Sequence, residues 1–307
     1  MYNIVSQRGR YLIFSGIVIG LGIIAMIISL VQNGSPFLLG VDFRGGTRFE
    51  VQFDEAVTEQ EIRDVFAANG LTSPAITTLV GTNLDNAWQI RTEFVESDLQ
   101  EQILDQLDRE LAPIDRENAS ITSVSPAVGG EVTRAAFAAI VVAAIVILVY
   151  IMFVFRQVPD PFRYGACAVS AMIHDILVIF GFIAIAGMLL GWEVDALFLT
   201  AVLTVAGFSL QDTIVVFDRI RENLTSHPRE SYDIIVGRSV LETIHRSLAT
   251  QLAAMFIMVA ILFFGGASIK PFIATLFVGM VSGTYSSIFH AVPLLVSWES
   301  WAEARQA

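Results

Sequence analysis

TVAGFSLQDTIVVFDRIREN, residues 204–223, is an apolar run interrupted by one acid and closed by a cluster of charges. Read as a membrane helix beginning near Asp195, it meets its first polar boundary at Asp218 and Arg219, which sets Asp212 roughly 9 Å inside at about 1.5 Å per residue. An acidic side chain at hydrocarbon depth costs about 2.5–3.5 kcal/mol on insertion scales, so it faces the interior of a bundle and marks a proton, ion or substrate path. The plainer reading is a neutral Asp bonded to a neighbouring helix. Either way the run spans a membrane, and that decides the class of the chain.

Outward from this run, the 307 residues are 54% apolar and 16% charged, with the apolar residues in long blocks rather than at amphipathic spacing. Six blocks are long enough to cross about 30 Å of hydrocarbon, at residues 11–31, 134–155, 163–190, 195–218, 247–265 and 271–297. The first is too long for a signal-peptide core, and no small-x-small cleavage site follows it, so it reads as an uncleaved anchor. Arg8 and Arg10 precede the first span, Arg156 and Arg163 sit between the second and third, and Arg219, Arg221, Arg229 and Arg238 follow the fourth. The positive-inside rule then places both termini in the cytoplasm. The expected organisation is a tail and first span in 1–31, an extracytoplasmic domain in 32–132, and five further spans in 133–307 with a cytoplasmic loop at 219–243 and a short C-terminal tail.

The net charge of −12 resides in one segment. Residues 32–132 hold 18 acids against 6 arginines, and the rest of the chain is balanced. Such an outer surface argues against nucleic acid and against docking on anionic lipid, and leaves solubility or a cationic partner as its use. The single cysteine, Cys167, lies within an apolar span and says nothing of redox compartment.

Within 32–132, Phe49, Val51 and Phe53 alternate with polar residues as a half-buried strand does, after a Gly45-Gly46 bend. TEQEIRDVFAANG then has Thr58 and Glu61 at capping-box spacing, with Ile62, Val65 and Phe66 on one helical face. Residues 75–80 and 86–94 read as a hairpin turning at GTNLD. Ser97 and Gln100 repeat the capping spacing before a helix lined by Leu99, Ile103, Leu107 and Leu111, and a last strand falls near 119–124. The order β-α-β-β-α-β is the ferredoxin-like, split βαβ arrangement.

The third span carries His174 and Asp175 near mid-membrane, so a second buried acid joins Asp212 on a polar path; His174 reads equally well as packing. The segment 219–243 is too polar to insert and carries apolar residues at helical spacing, as a helix along the membrane surface would. It delivers Arg246, Ser247, Thr250 and Gln251 to the fifth span, with Arg246 either a partner for Asp212 or a snorkelling residue. GMVSGTYSS in the sixth suits tight packing or a wetted face.

Several strings resemble one family, the SecF subunits of the bacterial protein-export accessory complex. LGVDFRGGT is similar to its glycine-pair signature, with Asp42, Gly45 and Gly46. SVSPAVGGEVTRAAF, with Gly129, resembles its approach to the second span, GFSLQDTIVVFDRIREN, with Asp218 and Arg219, its fourth span, and ETIHRSLATQ the start of its fifth. Gln211 stands where the family often has Asn. The resemblance implies half of a resistance-nodulation-division-like bundle in the bacterial cytoplasmic (inner) membrane. It implies a homologous partner, SecD, the SecYEG translocon and a YajC-type accessory subunit nearby, and an unfolded exported polypeptide and membrane lipids as further contacts. It implies no cofactor beyond the proton motive force, which assists late translocation, with Asp212 as proton-responsive aspartate and Arg246 as its partner. Two other classes were weighed. A proton-driven small-molecule exporter of the same superfamily would need a second outer lobe, and an intramembrane aspartyl protease, using Asp175 and Asp212, would need a glycine-rich motif before Asp212.

Overall fold

Each of the six apolar runs is helical. A computed structural model describes residues 5–79, 85–158 and 160–306. A 3-10 turn leads into α1 (Arg8–Asn33), followed by α2 (Val41–Arg44), β1 (Gly46–Gln52), α3 (Glu59–Ala68), β2 (Ala75–Thr78), β3 (Ala87–Thr92), α4 (Ser97–Glu110) and β4 (Ser120–Val124). The chain then runs through α5 (Pro126–Val154), α6 (Pro161–Leu190), α7 (Ala196–Ser226), α8 (Tyr232–Phe264), α9 (Lys270–Ser286) and α10 (Val292–Gln306). Six segments have the length and composition to cross a membrane, the last running from Lys270 to Ala302. That last one contains a π turn at Ser287–Ala291. Pro293 follows it, and a residue with no N–H to return to the preceding turn favours such a local widening.

The four strands form one antiparallel sheet in the order β2-β3-β1-β4, the order a split βαβ unit requires. Phe49 pairs with Ile90 on one side and Ile121 on the other. With Phe66, Ile62, Ile103 and Leu107 these residues build an apolar core separate from the bundle. Thr58 and Glu61 cap α3 reciprocally, Glu61 Oε2 accepting from Thr58 N at 2.8 Å. The second expected box does not form. Glu96, in extended backbone, occupies the cap position, Ser97 is already helical, and Gln100 Nε2 donates instead to the Val95 carbonyl at 2.6 Å. The turn expected at GTNLD lies mostly outside the described residues.

Residues 219–243 are not a surface-lying loop. α7 continues to Ser226 and α8 starts at Tyr232, so the two helices extend past the apolar span and pack on each other. Ile235, Val236 and Val240 are buried, the last two in one cluster with Phe217 and Ile220. Helical spacing was the correct signal, but its apolar face meets α7 rather than lipid.

Two apolar clusters stack within the bundle. One holds Tyr164, Ala168, Phe217, Ile220, Val240 and Leu295, the other Ile179, Ile183, Phe198, Val202, Ile273 and Leu276. Along α6, α7 and the last span, the stretches between the two sets carry a group of buried polar residues among apolar ones: His174, Asp175, Ser209, Asp212, Thr213, Ser282 and Ser286. α1 closes one side, crossing α6 where a Cβ on Gly181 would stand 2.5 Å from Gly22 Cα, so the two backbones touch.

Candidate functional site

Asp212 sits in this polar group, 6% exposed. Its Oδ2 accepts one hydrogen bond, from Gln251 Nε2 of α8 at 2.8 Å. Ser247, one turn earlier on the same face of α8, lies beside that carboxylate without reaching hydrogen-bond geometry, and Gln251 Oε1 is buried without a donor. Buried polar groups are ordinarily satisfied. Three groups sharing one bond therefore form a site able to accept a further proton or water.

Arg246 is not brought to Asp212. It is exposed, makes no ion pair among the described residues, and lines a cleft with Asp218, Arg219, Glu222 and Glu242 at the same end of the bundle. The sequence reading put it at the start of a span, but α8 begins at Tyr232 and Arg246 lies well inside that helix; Ser247 and Gln251 share its inward face, and Arg246 lies off it. Arg219 bridges Glu242 on α8 at 2.5 Å and Glu222 on its own helix at 2.6 Å, while Asp218 pairs with Arg221 at 2.7 Å. Of these two motif residues, Arg219 thus clamps the overhanging ends of α7 and α8, and Asp218 pairs along its own helix.

Asp175 is fully buried and far better satisfied than Asp212. Oδ1 accepts from Ser282 Oγ at 2.6 Å and lies 3.0 Å from His174 Nδ1; Oδ2 accepts from Ser209 Oγ at 2.5 Å and Ser286 Oγ at 2.7 Å. The serines come from α7 and α9, so one carboxylate ties three helices together. The only trace of this in sequence was the density of small hydroxyl residues in the sixth span. Asp175 and Asp212 share no hydrogen-bond partner, whereas a protease dyad works through two carboxylates in direct contact.

The glycine-pair residues lie at the end of the bundle where it meets the sheet domain. Gly45, with φ 78° and ψ 165°, occupies a region essentially restricted to glycine. A Cβ there would lie 2.6 Å from Pro126 Cα, one on Gly46 2.5 Å from the Thr92 carbonyl, and one on Gly129 2.8 Å from Gly45 N. Two sequence-distant motifs are therefore one backbone knot joining α2, β1 and α5. Asp42, beside it, accepts from Ala196 N at 3.0 Å, and Asp195 accepts from Phe198 N at 2.8 Å. Two carboxylates thus meet the free N–H groups that begin α7, the helix of Asp212.

Missed in sequence was Glu193, in the short link between α6 and α7. Arg91 Nε of β3 stands 2.5 Å from its Oε1, and Gln89 Nε2 donates to the same atom at 2.9 Å. Burial pushes the Glu193 carboxyl up to about 7 despite the attraction of Arg91 and Arg48. The Leu38 carbonyl accepts from Val194 N, and the Val194 carbonyl from Gly40 N, both at 2.8 Å, completing the junction.

The profile described as "Protein export membrane protein SecD/SecF, C-terminal" matches residues 103–301, and that of the "SecD/SecF GG Motif" matches residues 35–57. The chain belongs to the SecF family. It is 42% identical to the protein translocase subunit SecF of Thermobaculum terrenum, covering 98% of this chain and 95% of that one, and 39% identical to that of Anaerolinea thermophila over the same shares. Among solved structures, SecDF of Thermus thermophilus, a translocon-associated membrane protein, superposes with a TM-score of 0.79 at 28% identity, covering 95% of this chain. This chain spans 38% of that polypeptide. A second SecDF structure, in a super-membrane-facing form, gives a TM-score of 0.64. The chain is thus a multi-pass membrane protein accessory to Sec protein export, and Gly45 and Gly46 of the knot fall within the segment that the GG-motif profile matches.

Proposed function

We propose that the chain is half of a proton-driven machine, pairing with SecD beside the SecYEG channel and a YajC-type subunit, with both termini in the cytoplasm, to assist late movement of unfolded polypeptide across the inner membrane. One observation carries this reading: Asp212 is buried within an apolar span against a neutral amide, with no cation paired to it among the described residues. Its charge must therefore come and go with its proton or be met from outside the bundle. A potential of 100 mV is worth about 2.3 kcal/mol per charge, comparable with the cost of placing an acid there.

The outward face of α7 supports a partner half. Thr200, Gly207 and Gln211 are exposed along it, Gly207 with open space around it, and Arg246, Ala249, Thr250 and Ala253 are exposed on α8. Small and polar residues on a span suit contact with other helices rather than lipid. SecD, as the homologous half in the solved SecDF polypeptide, supplies the chemistry for that face.

Asp212→Asn keeps the size of the side chain and removes its exchangeable charge. It is expected to abolish the part of export that depends on the proton gradient while leaving membrane levels normal, as read in an export assay with and without an uncoupler. Full complementation by Asp212→Asn would reduce Asp212 to packing. Arg246→Lys is expected to impair export as well, because a compact ammonium does not reproduce the guanidinium fork toward a carboxylate on the partner.

A further inference from the structure

Asp175 has four hydrogen-bonding neighbours: three serine hydroxyls that donate to it, Ser286 sharing its proton with the Gly283 carbonyl, and the ring of His174, which donates in the tautomer that carries its proton on Nδ1. In that tautomer the shell suits the ionised carboxylate, whose oxygens only accept. A carboxylate held away from water also needs positive charge nearby, and leaving it uncompensated is costly. Among the described residues its one ion-pair partner is His174, which is charged only when protonated.

The charge balance therefore turns on the imidazoles. His174 is 3% exposed; its Nδ1 faces Asp175 and its Nε2 is buried without a partner. His290, delivered by the π turn, places Nε2 3.1 Å from Ser170 Oγ and has its Nδ1 buried without a partner. The two ring centroids are 4.9 Å apart. Each of these two neighbouring rings thus keeps one buried nitrogen without a partner. A single proton held between them, directly or through one water, turns one nitrogen into a donor and leaves the other an acceptor. The other groups packed around are neutral: Tyr285 lies 6.0 Å from the His174 ring, its hydroxyl occupied by the Tyr11 carbonyl at 2.9 Å, with Ser15 alongside.

We propose that His174 and His290 form a proton-holding site with Asp175 as its fixed counter-ion, separate from Asp212. The role in energy coupling rests on the proton-driven reading above; the site itself rests on the geometry. Ser209 carries its effect to α7: it bonds Asp175, its carbonyl accepts from Thr213, and it lies one turn from Asp212. A change in charge at the imidazoles is felt on the helix that carries the other acid.

The chain has four histidines. Full-length protein labelled with 15N-histidine, carrying His227→Gln and His245→Gln and reconstituted in lipid with its partner unlabelled, shows only the buried pair by NMR. Between about pH 5 and 9, where imidazoles change charge, the expected result is one imidazolium per chain, lost in Asp175→Asn, with the titration of each ring altered when the other is replaced. His174→Asn keeps an N–H donor for Asp175 and His290→Gln one for Ser170, so these variants separate titration from packing; partner co-purification reports their folding. Two rings neutral throughout, or titrating independently, would overturn the site. If that happens while Asp212→Asn still abolishes gradient-dependent export, the function stands without this site. The converse leaves a proton site in a protein not driven through Asp212.

Discussion

Gly129 and Gly130 are neighbours in sequence with opposite duties. A Cβ on Gly129 would meet Gly45 N at 2.8 Å and the Phe43 carbonyl at 3.0 Å, whereas one on Gly130 has open space. Gly129→Ala is expected to destabilise by about 1–3 kcal/mol, the usual cost of overpacking against atoms that cannot move. Gly130→Ala, at a helical position, is expected to be neutral or to gain up to about 1 kcal/mol. Thermal unfolding in mild detergent compares the two, and equal effects would deny the knot. At this scale the sequence was informative about depth but not direction. Asp212 and Asp175 were legible because an acid in an apolar run is conspicuous, while the serines that satisfy Asp175, and His290 beside it, were not, because hydroxyls and a lone imidazole are compatible with ordinary packing. Arg246 misled as a partner for Asp212 for a related reason: a charge where an apolar run begins carries no record of the helix face it occupies, nor of the helix continuing back to Tyr232.

Between elements, the junction of β3 with the α6–α7 link is the part most sensitive to acidity. The Glu193 carboxyl is raised to about 7 when docked, mainly by burial, against a free value near 4.3. The docked state therefore binds the extra proton, so its stability is complete below the free value and falls as pH rises toward 7. The change amounts to about 3–4 kcal/mol across that window. Hydrogen exchange at β3 and at residues 191–195 is expected to be slower at pH 5 than at pH 8, and Glu193→Gln is expected to flatten the difference; an unchanged slope would remove Glu193 as its source. In the outer domain, Thr58→Ala removes one side of a formed capping box and is expected to cost about 1 kcal/mol. That box was legible because Thr58 precedes its helix. The Ser97 spacing was identical, but the helix there begins one residue early, and spacing alone does not fix which residue stays extended.

For the whole molecule, a cysteine at Gly207 or Gln211 is expected to crosslink to a partner polypeptide in native membranes, and one at Ala206, which is 4% exposed, is not. Crosslinking at Ala206 alone would place the partner on another face. An impermeant thiol reagent added outside is expected to label a cysteine at Glu117 and spare one at Ser226; the reverse would invert the topology. Six spans and the β-α-β-β-α-β order were readable because long apolar runs and strand alternation are local signals. The stacking of two apolar clusters around a polar group was not, because it depends on which helices become neighbours. The same distinction bears on how the chain is made. α1 touches α6 backbone to backbone at Gly22 and Gly181, yet α6 follows about 160 residues later in the chain. At about 5–20 residues per second, the ribosome takes on the order of ten seconds or more to supply it. During that interval the first helix stands with its glycine notch open, available to any passing helix, until the sheet domain has been made and its true neighbour arrives.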